Sequence, residues 1–302
     1  MNYSYWGFGL KISSEIKFPE LLSHKFISPP DITIKIGEVP QKIEGDSFSG
    51  TSLSYSINEN ELLFEGIGIS HYYSAHGKDV VISPKQPVED WRGVRLHVLA
   101  SVMASVLQQR KRLPLHASAL LHQNSLILIT GDSGAGKSTS VAGLVKRGYT
   151  IFSDDVITLR EKKGQVLAEA SYPMIKLWDD TMTKIDHELF VDRSFRVRND
   201  LDKFGVFFHE SFDMNKYPSS KILILKKGEV DVIMKEKITG AEAFKEVYKQ
   251  IYRPMLMVGN DQLTNAFSLI SLLTDNCEVI RITRPLECDL EDLLDVEEAL
   301  IT

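Results

Sequence analysis

The spacing of apolar residues changes character along this chain. Up to about residue 88 it alternates in short runs broken by turn residues, as in "DITIKIGEV", "TSLSYSI" and "DVVISP". Period-two alternation of this kind predicts a β-rich unit over residues 1–88. The stretch "VEDWRGVRLHVLASVMASVLQQRKR" then places Val94, Val98, Val102, Leu99 and Val106 on one face at helical spacing. Its closing Arg110, Lys111 and Arg112 suit a helix C-terminus, so it predicts a long helix opening a second domain, 89–302.

After Pro114 the pattern becomes strand-like. "LHASALLHQ" and "SLILIT" are two apolar runs separated by Gln123 and Asn124, and they predict adjacent strands. Strand and helix patterns alternate from there. "SSKILILKKG", "EVDVIMKEK" and "CEVIRIT" predict strands; "TGAEAFKEVYKQIY" and "DQLTNAFSLISLLTD" predict helices. This alternation favours an α/β layer. The tail "DLEDLLDVEEALI" predicts a helix with Leu290, Leu293 and Leu294 on one side and a solvated acidic face.

Composition narrows the field. The 302 residues are 43% hydrophobic and 25% charged, ordinary for a globular chain, and the net charge of −6 gives no global field toward nucleic acid or anionic lipid. Neither a signal-peptide pattern nor a run of roughly 18 apolar residues occurs, so a cytoplasmic protein without a membrane partner is expected. Cys277 and Cys288 sit in no metal-type or redox-type pair and read as reduced thiols.

The chemistry sits between residues 126 and 156. Gly131, Gly136, Lys137 and Ser138 match G-x-x-x-x-G-K-[ST] between a predicted strand and a predicted amphipathic helix. Such a loop turns backbone N–H groups toward phosphate, the helix N-terminus adds positive potential, the lysine neutralises the terminal phosphates and the serine can ligate magnesium. The nucleotide-binding candidates are therefore Gly131, Asp132, Ser133, Gly134, Ala135, Gly136, Lys137, Ser138 and Thr139. The short strand "YTIFSDD" delivers Asp154 and Asp155 at its end, beside the loop if it pairs in parallel with its neighbour. One carboxylate can serve magnesium and the other can accept a proton from an attacking hydroxyl.

The stretch "HASALLHQNSLILITGDSGAGKSTSVAGLVKRGYTIFSDDV" resembles the catalytic core of the bacterial HPr kinase/phosphorylase family: a histidine, a strand pair, G-D-S-G-x-G-K-S, a helix ending in R-G and a strand ending in D-D. "YWGFGLKISSEIKFPEL" and "YPMIKLWDDTM" look like the shorter HPr-kinase-related proteins found beside ribosomal-peptide pathways, lasso-peptide precursor kinases among them. The resemblance implies a P-loop kinase core with a mixed central sheet and flanking helices, ATP and Mg2+ as cofactors, and a serine hydroxyl as acceptor. It implies Asp154 as the base, Asp155 with Ser138 on the metal, and a place for His116 near the reacting phosphate beside Lys137. Two departures bear on the acceptor. Thr139 stands where the classical enzymes carry glutamate, and the later "R-G-L-G-I" signature has no counterpart, which speaks against HPr as substrate and against phosphorolysis. A precursor-peptide serine is the favoured acceptor; a free-serine kinase and a slowly hydrolysing regulatory switch are the alternatives, and a homo-oligomer is compatible with all three.

Other features weigh less. Lys176 lies at a motif-like place from which it could reach phosphate or substrate, a surface lysine being the plainer reading; Trp178 reads as packing; Arg193, Arg196, Arg198 and Lys203 form a basic island that could meet an acidic peptide or nucleotide phosphates, a solvated loop being the plainer reading. "TKID" at 183–186 mimics a guanine-specifying tetrapeptide but follows a polar, helix-starting stretch, and His71 and His76 lack companion ligands for a metal.

Overall fold

The computed structural model describes residues 2–85, 88 and 90–302. By contact the chain divides into two compact units, Met1–Pro114 with Tyr252–Ala266, and Leu115–Ile251 with Phe267–Thr302. The boundary expected after residue 88 abuts residue 89, which with 86 and 87 lies outside the described residues. The expected opening helix of the second domain groups with the first unit instead.

The first unit contains a nine-stranded sheet, whose spatial order runs from Leu22–Ser23 through Tyr3–Gly7, Leu10–Ser14, Ile32–Ile36, Asp79–Pro84, Ser70–Ala75, Glu61–Gly66 and Leu53–Ile57 to Asp46–Ser49. The alternating runs named above supply three of these strands. The following helical stretch runs Arg92–His97, Val98–Val102 and Met103–Gln109, with a π-helical middle turn. Its valines 94, 98, 102 and 106 are all buried, as their spacing predicts.

The second unit is built on a six-stranded mixed sheet in the order Thr150–Ser153, Ala117–His122, Ser125–Gly131, Ser219–Gly228, Glu278–Pro285 and Met234–Ile238. Ser125–Gly131, Ser219–Gly228 and Glu278–Pro285 run parallel, and the buried runs Leu126–Ile129 and Ile222–Leu225 mark the first two as covered on both faces. The strand pair expected at 115–130 is present as the antiparallel hairpin of Ala117–His122 and Ser125–Gly131.

Thr150–Ser153 departs from expectation. It pairs antiparallel with Ala117–His122 and is not paired with the loop strand. Two antiparallel steps leave it pointing the same way as Ser125–Gly131, one strand removed, so its C-terminal end still arrives at the loop's edge of the sheet.

From the loop strand the chain enters helix Lys137–Lys146, which stops where Gly148 takes φ 97°. The last helix, Leu290–Ile301, packs on it: Leu294 lies against Gly143, Ser140 Oγ donates to Glu297 Oε1 at 2.8 Å, and Arg147 reaches Glu291, Asp295 and Glu298 at 2.6, 2.8 and 2.9 Å. These two helices and the inner sheet face share one apolar core that includes Ile127, Ile129, Val141, Leu144, Leu223, Ile282, Leu293 and Leu294. Glu297 corrects the expectation of a wholly solvated acidic face, because it is completely buried.

Candidate active site

The loop between strand and helix is set by glycines where no other residue fits. Gly131 adopts φ 139°, and a Cβ there would stand 2.2 Å from the Leu225 carbonyl oxygen of the neighbouring parallel strand. Gly136, at φ 116°, turns the chain into the helix, and Lys137 is the first helical residue. Lys137 is buried, and its Nζ donates to the carbonyls of Gly131 at 2.8 Å and Asp132 at 3.1 Å. Burial draws its pKa below the ordinary lysine value, against the opposing pull of Asp155, Asp154 and Asp132.

The two aspartates meet different surroundings. Asp154 is 1% exposed, and both oxygens of its carboxylate accept hydrogen bonds. Oδ1 accepts from Ser118 Oγ at 2.6 Å and from Ser138 Oγ at 2.8 Å; Oδ2 accepts from the Lys176 backbone N–H at 3.0 Å. Asp155 adopts a left-handed φ of 69°, uncommon for a non-glycine residue though Asp tolerates it. Its side chain is 24% exposed, with Oδ2 accepting from Lys176 Nζ at 2.7 Å and Oδ1 3.5 Å from His116 Nδ1. Burial alone would raise the Asp155 carboxyl, but Lys176, His116 and Lys203 hold it well below the usual carboxylate range.

His116 Nδ1 lies 2.9 Å from the Asp155 carbonyl oxygen, which can only accept, so Nδ1 carries the proton there. Burial lowers the imidazole's pKa, more than Asp155 raises it, and leaves the ring neutral near pH 7. A cavity of about 200 Å³ is lined by His116, Lys137, Ser138, Asp154, Asp155 and Lys176, together with part of the loop, Leu177, Trp178 and Lys203.

Every catalytic and metal residue expected from the sequence therefore lies in one place. Three further residues join them. Ser118 holds Asp154. Lys176, weighed as a surface lysine against a residue reaching phosphate or substrate, is the ion-pair partner of Asp155 in the cavity. Trp178, expected as packing, is 45% exposed, with Lys203 Nζ 5.4 Å from its ring centroid. Strand Met174–Trp178 alternates buried Ile175 and Leu177 with Lys176 and Trp178, so the period-two pattern already placed the latter two on a shared face. Arg193, Arg196 and Arg198 pair with Asp179, Asp202 and Asp200. "TKID" ends helix Asp179–Ile185, with Asp186 as its left-handed cap, which agrees with its dismissal as a guanine motif.

The residues present fit a magnesium nucleotide. A glycine loop at a helix N-terminus offers N–H donors to phosphate, and the Ser138 hydroxyl and neighbouring carboxylates offer the oxygen donors a hard cation takes. No cluster of three or more His, Cys, Asp or Glu able to hold a metal occurs among the described residues. A magnesium ion here would draw its other ligands from phosphate and water, as that ion commonly does.

No protein-family model matches the chain. A 46-residue stretch is 41% identical to the HPr kinase/phosphorylase of Clostridium tetani (strain Massachusetts / E88), covering 15% of each chain. A 71-residue stretch is 37% identical to the HPr kinase/phosphorylase of Pediococcus pentosaceus (strain ATCC 25745 / CCUG 21536 / LMG 10740 / 183-1w), covering 23% of each. The matched stretches thus span under a quarter of these relatives' length. A solved structure of the Hpr(Ser) kinase/phosphatase from Coxiella burnetii aligns at 17% identity and a TM-score of 0.33, over 62% of this chain and 93% of that one. Among the described residues no helix is long and apolar enough to cross a membrane.

Proposed function

We propose that the chain is an ATP- and magnesium-dependent kinase that phosphorylates a serine hydroxyl, with a serine of a lasso-type ribosomal precursor peptide as the favoured acceptor. The observation that carries this reading is the cavity in which a phosphate-loop lysine, its adjoining serine and two differently seated aspartates converge. The local similarity to HPr kinase/phosphorylases supports the reaction class, and the missing "R-G-L-G-I" signature argues against HPr as the acceptor.

The geometry favours a division of labour opposite to the one implied by resemblance. Asp154 receives the Ser138 hydroxyl and is almost fully buried under three hydrogen bonds, which suits a residue that fixes a magnesium ligand. Asp155 faces the cavity and is held ionised, which suits the group that accepts a hydrogen bond, then the proton, from an incoming alcohol. Lys137 would neutralise the terminal phosphates, and His116, neutral and fixed through Nδ1, would orient Asp155. Bound ATP would supply the phosphoryl group and magnesium would neutralise its charge; the residues' task is positioning.

The test incubates the purified chain with γ-labelled ATP and magnesium, adding precursor peptide, HPr protein and free serine in turn. Label on the peptide alone is the expected result. Label on free serine or on HPr would replace the acceptor assignment; label on none, with hydrolysis unaffected by Asp155→Asn, would favour a nucleotide switch.

Lys176→Met probes the same arrangement more gently. Its ammonium is the strongest of the groups that hold Asp155 down, so its loss lets the Asp155 pKa rise. The acid limb of the pH–rate profile should move to higher pH, and turnover should fall about tenfold, a loss of about 1.4 kcal/mol in transition-state stabilisation. An acid limb that stays in place would exclude Asp155 as the titrating group.

A further inference from the structure

A second, larger cavity of about 1530 Å³ adjoins the phosphate loop, sharing Gly134, Gly136, Thr139 and Trp178 with the smaller one. Its far lining comes from the turn after strand Glu278–Pro285 and the start of the last helix. Arg284, near the end of that strand, crosses to the loop and donates from Nε and Nη2 to the Ala135 carbonyl at 3.3 and 3.2 Å. Its remaining bond is from Nη1 to the Pro285 carbonyl, so all its hydrogen bonds go to neutral oxygens. No carboxylate lies within ion-pair distance of it among the described residues.

That is unusual in its setting. Four of the seven acids that line the cavity are paired elsewhere, Asp179, Asp200 and Asp202 with arginines 193, 198 and 196, and Glu291 with Arg147; Asp289 caps the last helix, Asp180 accepts from the Thr181 backbone, and neither they nor Glu287 lie within ion-pair distance of Arg284. Lys227 stands opposite Arg284 in the parallel pairing, so two cations occupy the C-terminal edge of adjacent strands beside the loop. Ligands of parallel α/β sheets bind at that edge. A half-buried guanidinium with neutral partners only, lining a cavity with loop glycines and Thr139, calls for an anion.

Resting on the kinase reading above, we propose that Arg284 is a second cation on the nucleotide's phosphate chain, contacting its α and β phosphates, and that the larger cavity takes the ribose and base. The smaller cavity, with Lys137, Ser138 and the aspartates, is the terminal-phosphate and acceptor side. Thr139, one residue beyond the magnesium serine, lines both, which puts the inner phosphates at the passage between them.

Isothermal titration of the full chain with magnesium complexes of ADP and ATP tests this in wild type, Arg284→Gln and Arg284→Lys. Arg284→Gln should weaken ADP and ATP alike by about tenfold or more, with Arg284→Lys recovering part of the loss and wild-type affinity falling more steeply with added salt than that of the glutamine variant. A role confined to holding the loop predicts otherwise. Glutamine keeps a donor for the Ala135 carbonyl, so affinity equal to wild type would overturn the proposal while leaving the kinase reading intact. A loss for ATP with ADP unchanged would overturn the placement on the inner phosphates. A wild-type chain that binds neither nucleotide would overturn the kinase reading, and this proposal with it.

Discussion

Asp155→Asn is expected to lower phosphoryl transfer by about a thousandfold while leaving nucleotide affinity close to wild type. Positioned general bases contribute roughly 10²- to 10⁴-fold, and asparagine keeps the size of the side chain while removing its proton acceptor. Asn also tolerates the left-handed backbone of this position, so the fold should be unaffected. Asp154→Asn should behave differently. That carboxylate accepts three hydrogen bonds, two on Oδ1 from Ser118 and Ser138 and one on Oδ2 from the Lys176 backbone, and an amide nitrogen in place of either oxygen sets a donor against a donor. Its variant should lose thermal stability and show a weakened magnesium requirement along with reduced turnover. Single-turnover rates and nucleotide titrations on both variants decide the matter. If Asp154→Asn alone abolishes transfer, without any change in folding or metal dependence, the roles return to the order implied by resemblance.

Glu297→Gln is expected to stabilise the protein at alkaline pH by a few kcal/mol. Glu297 is wholly buried, has Ser140 Oγ on Oε1, and has no partner for Oε2. Burial pushes its carboxyl up from 4.5 to about 8, with Ser140, Arg284 and Arg147 only moderating the rise. The folded state therefore keeps a proton that the unfolded chain releases. Between pH 4.5 and about 8 the unfolded state binds fewer protons, so stability falls as pH rises, by at most roughly 1.4 kcal/mol per pH unit, and levels off above that range. Glutamine is neutral throughout and still accepts from Ser140. Denaturant midpoints should coincide for the two proteins near pH 4.5 and diverge progressively toward pH 8.5. Parallel pH curves would refute a protonated Glu297.

Much of this was legible in the sequence because the signals are short-range. The hairpin at 117–131, the glycine loop, the helix after it and its stop at Gly148 each follow from residues within a few positions of one another. What the sequence obscured depends on orientation. Two adjacent aspartates look alike in a string of letters, yet one is buried under three hydrogen bonds and the other keeps 24% of its side chain exposed. Ser118 is a polar residue in the buried part of its strand, two positions after His116, and that spacing was the available clue to its place on the same face. Glu297 had a clue as well. Leu290, Leu294, Glu297 and Ile301 follow four-three-four spacing, the spacing of a buried helical stripe, so its position outweighed its polarity. Thr150–Ser153 was misplaced by one strand because pairing partners lie far apart in the chain and leave no local trace.

Lys176 touches both aspartates by different means, its backbone N–H on Asp154 and its ammonium on Asp155. Any residue except proline would preserve the first contact, and only a long cation preserves the second. Position 176 is therefore a control point at which one carboxylate can be retuned through a graded series such as arginine, glutamine and alanine while its neighbour's seat stays undisturbed. An engineer wishing to slow this catalyst by degrees, without loosening the scaffold around it, would begin there.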